Sequence, residues 1–520
     1  MARRGISRRS FFTTVAGAAI VPVLGCKSDP QPGLDAEAIV IGSGFGGAVA
    51  TLRLTQAGVR TILIERGRRW PIKPTGDTFA TFDKADERCA WLSLNTNFPG
   101  APFARFERKH VGVLENFTAR GTSVVVGSCY GGGSVVYGAT LVQPPQKLFE
   151  KVFPAGVDYA EMAATYYPRA RQMIGVGPVP DDVLAAPTYL SARKFFEDCA
   201  KAGVNVFKND VGADWNLVRD EIAGKLVPSA SIGQIVYGAN SGAKNSVDRS
   251  YLALAEKTGL VDVRTQHVVT EISKDDLGYA VRCDQIDLEG NVLASVVLRA
   301  KSVFLAAGSI GTSKLLVKAK ARGTLPALNE HIGRYWGNNG DYVLAREIGI
   351  DTLGIQGGPP CGMVFDHDNP ITAVSLDHGT ASTGLECKCQ PILCMGIAPA
   401  TGTFAYDSAT ADVTLTWDPT VTNTIADAAR ASIEKINAAA GGTVLDVGKL
   451  LGNYTYHPLG GAVMGKACDL YGRVLGYPGL YVIDGALLEG SAGGVNPALT
   501  ITAIAERCIE RVIKEDFTRA

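Results

Sequence analysis

The chain has 520 residues, of which 46% are hydrophobic and 20% charged, and its 51 basic side chains balance 51 acidic ones. This composition excludes a disordered chain, and the balanced charge gives no reason to expect nucleic acid as a partner. Because the length exceeds that of a usual single core, two closely packed domains are predicted.

The N-terminus has the features of an export signal. Paired arginines at 3–4 and 8–9 precede an apolar run, Thr14 to Gly25, that is too short to span a bilayer. This pattern resembles a twin-arginine signal and predicts a secreted or cell-surface protein; a basic helix of a cytosolic protein is the alternative. The segment Val23-Leu24-Gly25-Cys26 also resembles a lipoprotein cleavage site, which makes Cys26 a candidate for lipidation.

The first glycine-rich loop predicts a dinucleotide site. A short apolar strand at 37–41 runs into Gly42-Ser43-Gly44-Phe45-Gly46-Gly47, a helical segment follows, and a second strand at 60–64 ends at Glu65. In such a unit the glycines let the backbone approach a pyrophosphate, the helix N-terminus favours the anion, and the acid binds ribose hydroxyls. The loop and Glu65 are therefore predicted to bind a nucleotide cofactor.

A long loop from Trp70 to Ala104 contains Phe79, Phe82, Trp91 and Phe98. Ordered loops of this length often act as lids. Its aromatic residues predict transient contact with a membrane surface when a hydrophobic substrate leaves it. Scattered surface aromatic residues explain the same pattern equally well.

Three further predicted strands also end at small residues. The strand at 124–127 leads into Ser128-Cys129-Tyr130-Gly131-Gly132-Gly133-Ser134, the strand at 302–305 leads into small residues up to Gly311, and the strand at 480–483 ends at Asp484-Gly485. Together with the first loop, these strand ends indicate one long cofactor that lies across a sheet assembled from distant segments. This arrangement favours FAD over NAD.

The eleven cysteines are an odd number and lack the spacing of a disulfide scaffold. Cys387, Cys389 and Cys394 form a cluster, but no histidine lies near them at zinc-ligand spacing. Buried free thiols with one or two disulfides are predicted, and no metal site.

Two polar residues near the C-terminus are each followed by proline, in Tyr456-His457-Pro458-Leu459-Gly460-Gly461 and in Val495-Asn496-Pro497. Proline restricts the backbone of the residue before it, so His457 is predicted to be held rigidly. Pro497 suits the first turn of a helix over 498–512, which makes Asn496 a candidate N-cap.

These motifs, in this order from Glu37 to Ile513, resemble the glucose-methanol-choline (GMC) oxidoreductases, in particular the secreted bacterial members that oxidise cholesterol and bind FAD non-covalently. The resemblance implies FAD contacts at Phe45, Gly46, Glu65, Gly133, Gly138, Val269 and Gly485. The complete predicted cofactor site also includes Gly42, Gly44, Gly47, Tyr137, Thr140, Asp484 and Asn496.

Oxidation of a secondary alcohol requires loss of the hydroxyl proton and transfer of the carbinol hydrogen to flavin N5. His457 is the predicted catalytic residue that orients or deprotonates the hydroxyl, because imidazole exchanges protons near neutral pH; a merely packed histidine is the alternative. Asn496 is predicted to polarise the flavin and substrate region, alone or in addition to capping its helix.

The resemblance also implies that Glu386, aligned through the downstream Gly402–Asp407 segment, moves the steroid double bond from Δ5 to Δ4. A carboxylate in an apolar pocket, with its pKa raised toward neutrality, suits this chemistry. An ordinary surface glutamate is the alternative. The chain departs from the family pattern at Tyr137, Thr140, Ala462 and Ala498, so the reaction type is better supported than the identity of the alcohol.

The predicted fold is α/β, with two domains. Residues 35–150, 245–320 and 455–520 are assigned to a Rossmann-like FAD-binding domain. Residues 151–244 and 321–454 are assigned to a discontinuous substrate domain, a large mixed sheet covered by helices, and residues 1–34 to the signal and linker. Helices at 159–173, 187–202 and 421–440 and a strand at 413–417 support this division.

The leading functional hypothesis is a monomeric FAD-dependent oxidase of a 3β-hydroxysteroid or another hydrophobic alcohol, which passes electrons to dioxygen and forms hydrogen peroxide. A second hypothesis is a flavin dehydrogenase of the same fold with a quinone or protein acceptor. A third is a non-catalytic flavoprotein that binds sterols.

Overall fold

The computed structural model describes residues 33–96, 98, 103–352, 354–380 and 386–517. The predicted export signal and Cys26 lie outside these residues.

The described residues form eighteen β-strands and thirteen α-helices. The strands are β1 Ala36–Ile41, β2 Thr61–Ile64, β3 Leu114–Ala119, β4 Thr122–Gly127, β5 Val206–Lys208, β6 Val261–Arg264, β7 His267–Asp275, β8 Gly278–Ile286, β9 Val292–Leu305, β10 Tyr342–Glu347, β11 Gly362–Asp366, β12 Val374–His378, β13 Cys389–Met395, β14 Thr403–Asp407, β15 Asp412–Thr416, β16 Thr443–Leu445, β17 Tyr454–Thr455 and β18 Leu480–Val482. The helices are α1 Phe45–Gln56, α2 Gly133–Val136, α3 Gln146–Val152, α4 Tyr159–Glu161, α5 Tyr167–Ile174, α6 Asp181–Leu184, α7 Leu190–Lys201, α8 Trp215–Ile222, α9 Ala253–Lys257, α10 Gly308–Arg322, α11 Asn423–Ala440, α12 Val447–Leu451 and α13 Ala498–Asp516.

A seven-stranded sheet is assembled from three distant parts of the chain. Its order is β6-β2-β1-β9-β8-β7, and β18 pairs with β9. The pairings among β6, β2, β1, β9 and β18 are parallel, and Ile41 lies opposite both Ile64 and Leu305. The carboxyl ends of these strands therefore meet at one edge, which is where nucleotides bind in open parallel sheets.

Three of the four predicted strand ends lie in this sheet, and the fourth does not. β4, which leads into the second glycine run, belongs to a separate three-stranded sheet of order β17-β4-β3. Its glycines nevertheless reach the first loop, because a Cβ on Gly132 would lie 2.7 Å from the Gly44 Cα. The cofactor loops therefore come together without all belonging to one sheet.

A six-stranded sheet of order β16-β10-β13-β12-β11-β5 forms the second layer. Every pairing in it is antiparallel, where a mixed sheet was predicted. Along β12, Val374 and Leu376 join an apolar cluster with α7 and α11, so the alternate residues, Ser375 and Asp377, point to the opposite face. The two-domain α/β fold class is confirmed, with helices covering one face of this sheet.

The predicted helices and the predicted strand of this half are confirmed. The helical segment from Tyr159 to Ile174 contains a π-helical turn between α4 and α5, and a 3₁₀ turn from Pro187 to Tyr189 leads into α7. None of the helices among the described residues is long and apolar enough to cross a bilayer.

The four aromatic residues named for the predicted lid are buried or partly buried, whereas Phe103 in the same loop is 76% exposed. Phe79 and Phe98 are buried, and the Phe82 ring meets the Tyr237 ring edge to face with 5.3 Å between centroids. Trp91 is partly buried. These four side chains therefore pack within the protein, and contact of the loop with a membrane surface stays a prediction.

The cysteines follow the predicted pattern. Cys387 and Cys389 form a disulfide, and the other described cysteines are free and buried. No group of three His, Cys, Asp or Glu side chains suited to a metal ion occurs within the described ranges.

Candidate active site

The first glycine loop has the geometry of an anion site. Gly42 has a φ of +101°, and α1 begins at Phe45 with no side chain capping its N-terminus. The first N–H groups of a helix have no partner within it, and the helix dipole attracts negative charge there. The residues present therefore fit the pyrophosphate of a dinucleotide.

Close packing fixes this loop against the neighbouring strands. A Cβ on Gly46 would lie 1.7 Å from the Ile483 carbonyl oxygen, just after β18, and one on Gly47 would lie 1.9 Å from the Gly42 carbonyl oxygen. Only glycine allows this contact between α1 and the strand ends.

Glu65 lies at the carboxyl end of β2 and is buried. Its carboxylate accepts hydrogen bonds from the Ser43 hydroxyl at 2.6 Å and from the Gly67 N–H at 2.8 Å. These donors hold the acid beside the glycine loop, where it fits the predicted contact with a ribose. Its role as a cofactor ligand stays a prediction.

The other predicted cofactor residues surround the same edge. The Tyr137 ring lies 5.5 Å from the Phe45 ring, and a Cβ on Gly133 or on Gly138 would meet no atom closer than 3.8 Å, so the backbone is open there. Val269 lies on β7. Residues 484 and 485 follow β18.

Asp484 is engaged within the protein. It accepts hydrogen bonds from the Gly308 and Ala486 N–H groups and from the Thr312 hydroxyl. Burial raises its pKa to about 6, and these donors oppose the shift. The structure therefore shows Asp484 fixing the start of α10 to the segment after β18.

His457 is held by a buried aspartate. Its Nδ1 lies 3.0 Å from the Asp341 carboxylate, and its backbone N–H donates to the Thr455 hydroxyl. The same hydroxyl donates to Asp341 at 2.7 Å. The side chains of His457 and Asp341 are 16% and 2% exposed, so solvent reaches the imidazole but hardly the carboxylate.

This arrangement selects the tautomer of His457. A carboxylate only accepts hydrogen bonds, so Nδ1 carries the proton and Nε2, on the opposite edge of the ring, has the free lone pair. Nε2 can then take a proton from a substrate hydroxyl, and Asp341 stabilises the resulting positive charge.

We expect Asp341→Asn to lower the rate constant of flavin reduction by about 10²-fold or more, because an amide can hold the wrong tautomer of His457. FAD content should be unchanged, since the Asp341 carboxylate is hydrogen-bonded to Asn339, Thr455 and His457. The measurement is stopped-flow flavin reduction as a function of pH. A rate and pH profile like those of the parent protein would show that Asp341 has no role in proton transfer.

Asn496 does not cap the helix that follows it, and its predicted role beside the flavin stays a prediction. α13 begins at Ala498 with Pro497 as its N-cap, and no side chain caps it. The Asn496 Nδ2 instead donates to the Asp377 carboxyl at 3.2 Å. The side-chain amide therefore joins the C-terminal segment to β12 of the six-stranded sheet.

The Asn339 side chain connects the segment before Asn496 with the segment that contains Asp341, the partner of His457. The Asn339 side chain donates to the Val495 carbonyl at 3.0 Å and accepts from the Ala492 N–H at 2.9 Å. Because Asn339 lies two residues before Asp341, the segment that holds His457 also holds the backbone beside Asn496.

Buried oxygens without partners lie around Asn496. Asp377 Oδ1, Asn496 Oδ1 and the Thr140 hydroxyl have no regular hydrogen bond to any described residue. Buried polar atoms are nearly always paired, so orphaned atoms on neighbouring side chains indicate a place for a polar group of a ligand. Burial raises the pKa of Asp377 to about 7, while Asn496, Thr140 and His457 favour its charged form.

Helix packing fixes the position of this segment relative to the glycine loop. Glu506 of α13 is buried and pairs with Arg53 of α1 at 2.7 Å, and the Tyr251 hydroxyl donates to the same carboxylate at 2.8 Å. Asn496, just before α13, is thereby held in place against the nucleotide half.

Glu386 is not brought to this site. Glu386 precedes the start of β13, where Cys389 pairs with Glu347. Asp341 lies next to Tyr342, which pairs with Cys394 near the other end of β13. Five residues of strand separate the two ends, about 17 Å. Its slight burial raises its pKa, but hydrogen bonds from the Gly354 and Lys388 N–H groups outweigh this and lower it to about 2. The structure therefore gives Glu386 neither the apolar setting nor the raised pKa that the sequence suggested.

Known proteins match most of the chain. The GMC oxidoreductase family model matches residues 36–324, and C-terminal models of the same family match 339–447 and 400–505. A cholesterol oxidase of Acinetobacter baumannii is 26% identical over 92% of this chain and 94% of its own. A cholesterol oxidase of Mycobacterium tuberculosis is 27% identical over 91% of this chain and 90% of its own.

Solved structures share the fold. A fungal aryl-alcohol oxidase superimposes with a TM-score of 0.62 at 13% identity, covering 93% of this chain and 100% of its own. An FAD-dependent oxidoreductase from Chaetomium thermophilum gives 0.65 at 13% identity, with the same coverage. The first family match alone spans more than half of the 520 residues. The chain therefore belongs to the GMC oxidoreductase family, whose members are FAD-dependent oxidoreductases.

Proposed function

We propose that the protein is an FAD-dependent oxidase of 3β-hydroxysterols that uses dioxygen as its electron acceptor and forms a ketosteroid and hydrogen peroxide. The proposal rests on two hydrogen-bonded pairs: His457 is bonded to Asp341, and Asn496 is bonded to Asp377. The two bacterial relatives, both named cholesterol oxidase, support the choice of substrate because they match along nine-tenths of the chain.

The chemistry divides between the cofactor and the protein. FAD, when bound, supplies the acceptor for the carbinol hydride. His457 Nε2 takes the hydroxyl proton, and Asp341 stabilises the charged imidazole. The Asn496 amide, fixed by its bond to Asp377, orients the hydroxyl through its free Oδ1.

The surroundings of Asp377 favour an apolar alcohol. Val142, Met363, Met395 and Val495 form a buried cluster on this side of the sheet, and methionine adapts its shape to bulky ligands. Ala498, a departure from the family pattern, adds a small side chain next to Pro497. A fused-ring alcohol suits such a lining better than a small polar one.

The proposal includes movement of the product double bond from Δ5 to Δ4. A second candidate function, a flavin dehydrogenase for another secondary alcohol with a quinone or protein acceptor, is favoured by the changed residues Tyr137 and Thr140 beside the site. Its substrate would differ in ring shape.

Purified holoenzyme mixed with a panel of 3β-hydroxysterols in air distinguishes the two. The oxidase is expected to form one peroxide per ketosteroid and to gain little from an added quinone. Turnover that needs the quinone supports the dehydrogenase. No turnover of any 3β-hydroxysterol with either acceptor contradicts the proposed substrate.

A further inference from the structure

A buried lysine outside the proposed proton-transfer group is not explained by an ion pair. Lys244 is 4% exposed, and its Nζ donates to the carbonyl oxygens of Tyr137, at 2.9 Å, and of Ile235. Among the residues that the structure describes, no carboxylate pairs with it. An uncompensated charge is costly to keep away from water, so contacts with two carbonyl groups alone account for it poorly.

The segment held by this lysine lies between the nucleotide loop and the alcohol site. The Tyr137 ring lies 5.5 Å from the ring of Phe45, the first residue of α1. Three residues further on, Thr140 lies beside the Asp377 carboxyl. The backbone from Tyr137 to Thr140 therefore borders both of the places that a bound FAD has to connect.

The lysine also contacts the Tyr137 side chain. Its Nζ lies 5.6 Å from the centre of the Tyr137 ring, and the Tyr137 hydroxyl donates to the carbonyl of the next residue, Asn245, at 2.8 Å. An ammonium group within about 6 Å of an aromatic ring is attracted to the face of that ring. Because the chain departs from the family pattern at Tyr137, this ring contact is a feature of this chain.

We propose that Lys244 is a positioning residue of the flavin site: its ammonium fixes the Tyr137 carbonyl and raises the reduction potential of bound FAD. Reduction adds negative charge to the flavin ring, and a fixed cation in a site that excludes water favours the more negative form. The inference rests on FAD binding and not on the sterol substrate.

The other charged side chains of the same turn do not cancel this charge. Asp248 does not pair with Lys244, and Arg249 adds a second cation, which donates to the Lys244 carbonyl at 3.2 Å. Burial lowers the pKa of Lys244 to about 7, and Cys129 opposes the shift. Since a lysine is charged below its pKa, Lys244 is an ammonium at pH 6.

The test measures the midpoint potential of the flavin in the purified holoenzyme at pH 6, by anaerobic titration against a reference dye with no alcohol present. Lys244→Met keeps the length of the side chain and removes its charge. This variant is expected to lower the equilibrium constant for two-electron reduction by about tenfold, which corresponds to a midpoint potential lower by about 30 mV. Lys244→Arg keeps the charge and should stay close to the parent potential.

Lys314→Met is the matched control. Lys314 lies on α10 in the nucleotide half, and its charge is already compensated by Asp412 at 2.9 Å. It should keep the parent potential. A merely structural role of Lys244 predicts that Lys244→Met loses FAD or unfolds more easily, but that the flavin it retains has the parent potential.

A parent-like potential in Lys244→Met overturns the proposal, as does an equal fall in Lys314→Met. If Lys244→Met does not retain FAD, Lys244→Gln replaces it, because glutamine keeps a donor for the Tyr137 carbonyl and lacks the charge; the same fall is expected, and a parent-like potential overturns the proposal. Since the titration contains no alcohol, a protein that oxidises no sterol can still give the expected result. A failure here likewise leaves the proposed oxidase activity standing.

Discussion

His457→Gln is expected to slow anaerobic flavin reduction by the alcohol by about 10²- to 10⁴-fold while leaving FAD bound. Glutamine can still donate a hydrogen bond, but it cannot take the hydroxyl proton that Nε2 takes. FAD should remain because the first glycine loop, which fits the pyrophosphate, follows β1 of the seven-stranded sheet, whereas the His457 side chain is bonded to Asp341. Stopped-flow absorbance gives the rate, and the flavin-to-protein absorbance ratio gives the FAD content.

His331→Gln is the matched control for this variant. His331 is another partly exposed histidine, bonded to the Tyr335 hydroxyl and outside the proposed site. It should reduce flavin at the parent rate. If His457→Gln also keeps the parent rate, proton transfer does not pass through His457.

Gly46→Ala is expected to yield protein with little or no bound FAD and an unfolding free energy lowered by about 3 kcal/mol. The new methyl would lie 1.7 Å from the Ile483 carbonyl oxygen, so α1 or the segment after β18 must move. That movement separates the helix N-terminus from the strand edge that forms the anion site. FAD content by absorbance and unfolding by urea titration measure the two effects.

Gly177→Ala separates this effect from the general effect of alanine. A Cβ at Gly177 would meet no atom within 4 Å, and its φ lies outside the left-handed region. This control should bind FAD and unfold like the parent. Normal FAD content in Gly46→Ala would mean that the contact with Ile483 does not position the cofactor loop.

The nucleotide half could be predicted from sequence because its signals are local. The glycine loop, the strand before it and Glu65 lie within thirty residues, and a short strand–loop–helix pattern allows few structures. No single segment of the sequence predicts the register that places Ile41 beside Leu305. The repeated strand ends at small residues nevertheless indicate that these strands share one sheet. The sequence does not show that β4 lies in a separate sheet, because a strand before a glycine run has the same pattern in any sheet.

The polar partners of the site could not be predicted in this way. Asp341 immediately precedes β10 and Asp377 lies on β12, two strands of a sheet built from distant parts of the chain, so their roles depend on the register of that sheet. The alternation of Val374, Leu376 and their polar neighbours in β12 was the one available signal for Asp377, since it places an acid on a buried face. The aligned motif points to Glu386 instead, because an alignment carries no information about burial.

Asn496 illustrates a competition between local and tertiary contacts. Local preference makes an asparagine before proline a helix cap, but the buried carboxyl of Asp377 takes the amide instead. The α13 N-terminus is left without a side-chain cap. That loss is worth about 1 kcal/mol, which a hydrogen bond to a buried charged group can offset.

Anaerobic mixing of the holoenzyme with a 3β-hydroxysterol, carrying hydrogen or deuterium at C3, tests the central claim most directly. The account predicts that the oxidised-flavin absorbance is lost, that deuterium slows the loss, and that His457→Gln slows it further. If neither sterols nor any other alcohol reduce the flavin, the protein is not an alcohol oxidoreductase and the account is contradicted.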